Sequence, residues 1–126
     1  MDEQELTKLL EQWEGVYKKG LLTFWVLLLL HERPMCVFEM GQALEAISRG
    51  TMTADERSLY RALRRFEWAG FVESEWQDSD VGPRRRYYRL SELGTELLRR
   101  FTRRNILLFQ EPGVVERLAR LIDDEN

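Results

Sequence analysis

Across Gly70 the chain changes from helical to strand-like patterning, and few architectures accommodate that change. Before it, residues 54–69 place Leu59, Leu63 and Phe66 at helical spacing. After it come two β-prone runs, Phe71–Gln77 and Arg85–Leu90. They are separated by Asp78-Ser79-Asp80-Val81-Gly82-Pro83, a segment dense in turn formers. The pattern predicts a helix feeding directly into a β-hairpin with a flexible tip.

The flanks read as helices. Leu6, Leu9, Leu10, Trp13, Val16 and Tyr17 predict a first helix over 3–18, which Gly20 is expected to break. A mostly apolar helix over 21–31 follows and should sit in the core until Pro34 ends it. A third helix is expected over Val37–Ser48. Thr53 with Glu56 has the form of a capping box for the helix at 54–69. Beyond the hairpin, Ser91 opens a helix running to about Gln110. Pro112-Gly113 breaks it, and a short terminal helix covers Val114–Ile122. The expected fold class is therefore mainly α with a two-stranded β-hairpin.

Charge is unevenly distributed. Residues 57–104 carry twelve arginines against seven carboxylates, so the net charge of −3 hides a basic centre between acidic flanks. A ligand responds to the local field, and this one suits a polyanion. At about 100° per residue, Arg57, Arg61, Arg64 and Arg65 share one side of the 54–69 helix, opposite Leu59, Leu63 and Phe66. Two readings are open. The arginines form a solvated face, or their mutual repulsion is relieved by DNA, whose phosphates and guanine edges match the guanidinium fork. Trp68 falls on the same side, where packing against another helix or subunit competes with contact to a DNA backbone.

Arg84-Arg85-Arg86 stands where the hairpin tip meets the second strand. Charges there either guard a strand edge or run along a phosphate backbone, adding affinity with little base reading. Tyr87 and Tyr88 alternate across the pleat, so one should face inward.

Together these residues resemble the PadR-type transcriptional regulators. Ser58-Leu59-Tyr60-Arg61-Ala62-Leu63-Arg64-Arg65-Phe66-Glu67 is similar to that family's recognition helix. Gly70-Phe71-Val72-Glu73 resembles its Gly-Leu-Ile-Glu. Gly82-Pro83-Arg84-Arg85-Arg86-Tyr87-Tyr88-Arg89-Leu90-Ser91, followed by Glu92-Leu93-Gly94, resembles its wing. The likeness spans about 22–100. It implies a winged helix-turn-helix, a homodimer, and usually a repressor released by a small molecule. By position, Arg57, Ser58, Tyr60, Arg61 and Arg64 would face DNA from the recognition helix, and Arg84, Arg85 and Arg86 from the wing. Two segments depart from the pattern. Val37-Phe38-Glu39 stands where the family has Gly-Tyr-Glu, removing a hydroxyl able to bond phosphate, and 48–55 lacks the Ser-Pro-Gly lead-in.

The resulting expectation is a winged helix-turn-helix over 21–91, with extra dimerisation helices at 1–20 and 92–126. Leu6, Leu10, Trp13 and Tyr17, with Leu97, Phe101, Leu108, Leu118 and Ile122, would bury against a second copy. A twofold dimer would then set two recognition helices roughly 34 Å apart on a pseudo-palindromic operator. Trp13 and Trp25 are the candidates for a small aromatic effector. The competing class is a winged-helix module that binds protein and has lost DNA binding.

Other chemistry finds little footing. Cys36 reads as a small buried hydrophobe, with redox sensing as the alternative. His31 suits the C-terminal end of its helix. No phosphate-binding glycine loop, catalytic constellation or metal-ligand spacing stands out, so the chain reads as a non-enzyme without cofactor or metal. The longest apolar run, Leu21–Leu30, is too short for a bilayer, and the acidic start is unlike a secretory signal. Both point to a cytoplasmic protein.

Overall fold

The computed structural model describes residues 2–125; the outermost positions of the two flanking segments, 1 and 126, lie outside the described residues. Helix α1 runs Glu3–Glu32, α2 Val37–Ile47 and α3 Glu56–Trp68. Strands β1 (Val72–Gln77) and β2 (Arg85–Leu90) follow. Then come α4 (Glu92–Phe101), a π-helical turn over Thr102–Ile106, a 3-10 turn over Leu107–Gln110, and α5 (Pro112–Asp123).

One continuous helix replaces the two expected before Pro34. Gly20 does not break it: a glycine inside a helix costs about 1 kcal/mol relative to alanine, and tertiary packing of the following apolar turns outweighs that. Asp2 caps the start by accepting from the Gln4 N–H at 3.0 Å, with Glu3 and Glu5 in the first turn against the positive end of the helix dipole. The two halves of α1 differ sharply. From Phe24 onward Phe24, Val26, Leu27, Leu29 and Leu30 are buried, whereas the first half is almost entirely solvent-facing. His31 sits exposed in the last turn.

Pro34 ends α1, and the chain turns extended at Met35. Its N–H donates to the Tyr88 carbonyl at 3.0 Å and its carbonyl accepts from Tyr88 N–H at 2.9 Å. This bridge ties the strand leaving α1 to the hairpin. Val72 pairs with Leu90 and Gln77 with Arg85 in an antiparallel ladder.

Three joints set the relative placement of the helices. Residues 48–50 close α2 with paired bonds, Arg49 N–H to Ala46 O and Gly50 N–H to Glu45 O, which hold Arg49 at φ 54°. Gly70, at φ 88°, closes α3 in the same way and aims the chain into β1. Gly94 then lets α4 pass against the start of β1, because a Cβ there would collide with the Phe71 carbonyl oxygen.

The cap of α3 also differs from expectation. Asp55, not Thr53, accepts the Ser58 N–H at 2.7 Å, so α3 starts two residues later than expected, directly before Arg57. Ser48 explains the shift: its buried hydroxyl bonds the Met52 N–H and carbonyl at 3.0 and 3.2 Å, holding 51–54 out of the helix.

The core is formed by the second half of α1, α2, the apolar face of α3, Val72, Tyr88 and Leu98. Helix α5 contributes no buried side chain. Among the described residues no helix is long and apolar enough to cross a membrane.

Candidate nucleic-acid interface

Helix α3 carries its arginines as the periodicity requires. Leu59, Ala62, Leu63 and Phe66 are buried, and Arg57, Arg61, Arg64 and Arg65 are exposed. Arg57 and Arg61 flank the N-terminus of the helix. Hydrogen bonding from Ser58 lowers the Asp55 carboxyl below its ordinary range against an opposing effect of burial, and the Arg61 and Arg57 charges add to the lowering. Ser58 itself is half-buried. Tyr60 is exposed, with the Arg64 guanidinium 5.9 Å from its ring centroid. Trp68, at the far end of the helix, is 93% exposed.

The three wing arginines are consecutive yet differ in environment. Arg84 projects from the tip and meets Asp78 at 3.2 Å. Successive side chains of a strand leave opposite faces, so Arg85 and Arg86 part company. Arg85 turns towards the start of α2, its guanidinium 5.6 Å from the centroid of the Phe38 ring and 4.0 Å from Cys36 Sγ. Arg86 turns towards α3 and reaches Glu67 at 3.0 Å. Tyr88, on the same face as Arg86, is wholly buried, while Tyr87 is half-buried. Burial pushes the Tyr88 phenol above its ordinary pKa, and its hydroxyl has no partner among the described residues.

The start of α2 completes the surface. Cys36 is buried and serves as N-cap. Glu39 folds back to accept the Cys36 N–H at 3.3 Å and pairs with Arg33 at 2.9 Å. The capping-box arrangement expected at Thr53 is therefore found at α2 instead. Between α2, α3 and the wing lies an open cleft of about 310 Å³, lined by Phe38, Tyr60, Trp76, Arg85 and Arg86 among others. Among the described residues, Arg57, Arg61, Arg64 and Arg85 engage no carboxylate. A face with unpaired guanidiniums on a helix and on an adjacent hairpin can accept an extended polyanion.

Residues 26–100 match the family model described as the transcriptional regulator PadR-like family. The chain belongs to that family. Among solved structures, a PadR-family transcriptional regulator from Eggerthella lenta DSM 2243 is similar over 91% of this chain and 96% of its own. Its TM-score is 0.74, at 24% identity. A PadR-like regulator from Bacillus cereus strain ATCC 14579 is 25% identical over 82% of this chain and 92% of that one, with TM-score 0.59. Bacillus subtilis PadR, solved in complex with operator DNA, is 16% identical over 64% of this chain and 45% of that one, also at 0.59. No match was found among curated proteins. The shared fold is the winged helix: in this PadR-like chain α2 and α3 form the helix-turn-helix and β1–β2 the wing.

The two effector candidates do not meet within one chain. Trp13 is 73% exposed on the first half of α1. Trp25 is half-buried against Phe24, at 5.8 Å between ring centroids, and its Nε1 is buried without a partner among the described residues. At 1.5 Å per residue they stand roughly 18 Å apart along the helix. Glu67 and Ser74, both bonded to Arg86, were not singled out by sequence as functional. Glu67 does lie inside the family-like motif, so its position carried a signal; Ser74 carried none.

Proposed function

We propose that this chain is a homodimeric, sequence-specific DNA-binding transcriptional regulator acting in the cytoplasm as a repressor. Arg57, Ser58, Tyr60, Arg61 and Arg64 of α3 would face the major groove, and Arg84 and Arg85 of the wing the phosphate backbone. The observation that carries the reading is the unpaired guanidinium face shared by α3 and the wing. An operator complex of a PadR relative with this fold supports it. Arg86 belongs to the same sequence cluster, but its guanidinium is already engaged inside the protein.

Dimerisation has separate support. Leu6, Leu10, Trp13 and Tyr17 are 46–73% exposed on α1, and Leu97, Phe101, Leu108, Leu118 and Ile122 are 38–59% exposed near the other end of the chain. Helices draw most of their stability from packing an apolar face. Phe101 leans on Phe24, at 5.8 Å between ring centroids, but among the described residues the rest of these faces stays exposed, and a second copy would cover it. In this reading 21–91 is the DNA-binding unit, and 1–20 and 92–126 hold the dimer together. An aromatic effector would act by favouring one spacing of the two wings. Trp25, with its unpartnered Nε1, is the better placed of the two tryptophans to hold it. Trp13 would join the same ligand only from the second copy.

Hydroxyl-radical footprinting on the DNA upstream of the protein's own gene tests the proposal. Two protected segments, centred about 10–10.5 base pairs apart or at a multiple of that, are expected. Uniform reactivity at all accessible protein concentrations would favour a protein-binding module instead.

A further inference from the structure

Glu67 is out of place on a surface meant for a polyanion. It sits in the last turn of α3, beside exposed arginines and near the negative end of the helix dipole, where a carboxylate is disfavoured. The wing explains its presence. Arg86 Nη2 donates to Glu67 Oε1 at 3.0 Å and Oε2 at 3.3 Å. Arg86 Nε donates to Ser74 Oγ at 2.8 Å, and Ser74 Oγ donates to Glu67 Oε2 at 2.6 Å. The three side chains thus form a closed ring of hydrogen bonds joining α3 to both strands of the hairpin.

The hairpin register makes this ring possible. Arg86 pairs across the ladder with Trp76, and Ser74 with Tyr88, so all four share the face that meets α3. The guanidinium is flanked by the Trp76 and Tyr88 rings, with centroids at 5.8 and 5.7 Å. Its side chain is about as exposed as that of Glu67, 31% against 30%, compared with 64% for Arg84. The rings and the carboxylate together leave Arg86 little freedom to reach outward.

We infer that Glu67, Ser74 and Arg86 are positioning residues that latch the wing to the recognition helix and fix the angle at which Arg85 meets DNA. The inference rests on the DNA-binding reading for its consequence, but the latch itself belongs to the free protein. Simple electrostatics gives the opposite sign: neutralising a carboxylate on a DNA-facing surface should tighten binding.

The test compares wild type with Glu67→Gln, Arg86→Gln and the milder Ser74→Ala. Hydrogen exchange in the free protein comes first. Amides of Val72–Gln77 and Arg85–Leu90 should exchange about tenfold faster in the Gln variants, and to a lesser degree in Ser74→Ala, while those of Val26–Leu30 keep the wild-type rate. Unchanged hairpin exchange would overturn the latch, whether or not DNA binds.

DNA affinity is measured second, on a duplex bound by wild type. Glu67→Gln should bind about fivefold more weakly despite losing a negative charge, and tighter binding would overturn the inference. Arg86→Gln should lose affinity while keeping the wild-type slope of log K against log salt, whereas Arg85→Gln should lower that slope by about 1. A lower slope for Arg86→Gln would make Arg86 a phosphate contact and overturn the positioning role. If wild type binds no DNA, the functional reading fails, and the exchange experiment still decides the latch.

Discussion

Arg85 of the wing lies over the ring of Phe38, with its guanidinium carbon 5.6 Å from the ring centroid. Phe38 occupies the second position of α2, where the family pattern has a tyrosine, and it is 51% exposed. The ring therefore has a job that needs no hydroxyl: it supports the wing arginine beside the positive end of a helix. Phe38→Ala should weaken DNA binding by about 0.5–1 kcal/mol, the worth of an exposed cation–π contact. Phe38→Tyr keeps the support and adds a donor for phosphate, so it should tighten binding by up to about 1 kcal/mol. Fluorescence anisotropy with labelled duplex measures both. Equal affinity for all three proteins would remove Phe38 from the interface.

Gly94 holds α4 against the start of β1. Because a Cβ there meets the backbone carbonyl of Phe71 and not a movable side chain, Gly94→Ala must displace α4 or the wing. A loss of at least about 2 kcal/mol is expected in urea unfolding. At Gly20 an added Cβ meets nothing within 4 Å. Gly20→Ala should therefore raise stability by about 0.5–1 kcal/mol, and a loss of stability would show that this face of α1 is closely covered.

Acid should loosen the helix starts. Burial raises the Glu39 carboxyl, but the Cys36 N–H and Arg33 outweigh it and hold the group below its ordinary range. The Ser58 N–H lowers Asp55 in the same way. A carboxyl with a folded pKa below its unfolded one contributes fully above the unfolded value, about 4 for these groups, and loses that contribution as pH falls through the folded one. Urea midpoints should hold between pH 5 and 7 and then decline below about pH 4. Glu39→Gln should make the decline shallower; an unchanged acid limb in that variant would exclude Glu39 as a source.

Much of the fold was legible because its signals are local. The apolar period of α3, Gly70 and the Gly82-Pro83 turn depend on neighbouring residues, and all three appear where sequence indicated. The failures came from tertiary packing and side-chain bonds that override the local signals. Packing of residues 24–30 carries α1 through Gly20, and the Ser48–Met52 bonds move the α3 cap from Thr53 to Asp55. The Met35–Tyr88 bridge joins residues far apart in sequence, which no spacing rule reveals. The three wing arginines looked equivalent in sequence. Only the strand register and Glu67 distinguish Arg86 from its neighbours.

The exposed apolar faces of α1 and α5 should place the protein in a dimer. Leu10→Glu combined with Trp13→Glu should convert a dimer at micromolar concentration into a monomer by sedimentation velocity. Helicity should also drop, since residues 3–20 then lack a packing partner. A wild-type monomer under the same conditions would refute the assembly.

In the proposed function α3 reads DNA through its arginines. The most direct measurement of this is the affinity of wild type and of Arg61→Ala/Arg64→Ala for a duplex protected in footprinting, against a scrambled duplex at the same salt. The double variant should lose about 2–6 kcal/mol on the protected duplex, and its preference over the scrambled one should collapse. Equal affinity and equal preference in the double variant would show that α3 is not the recognition helix.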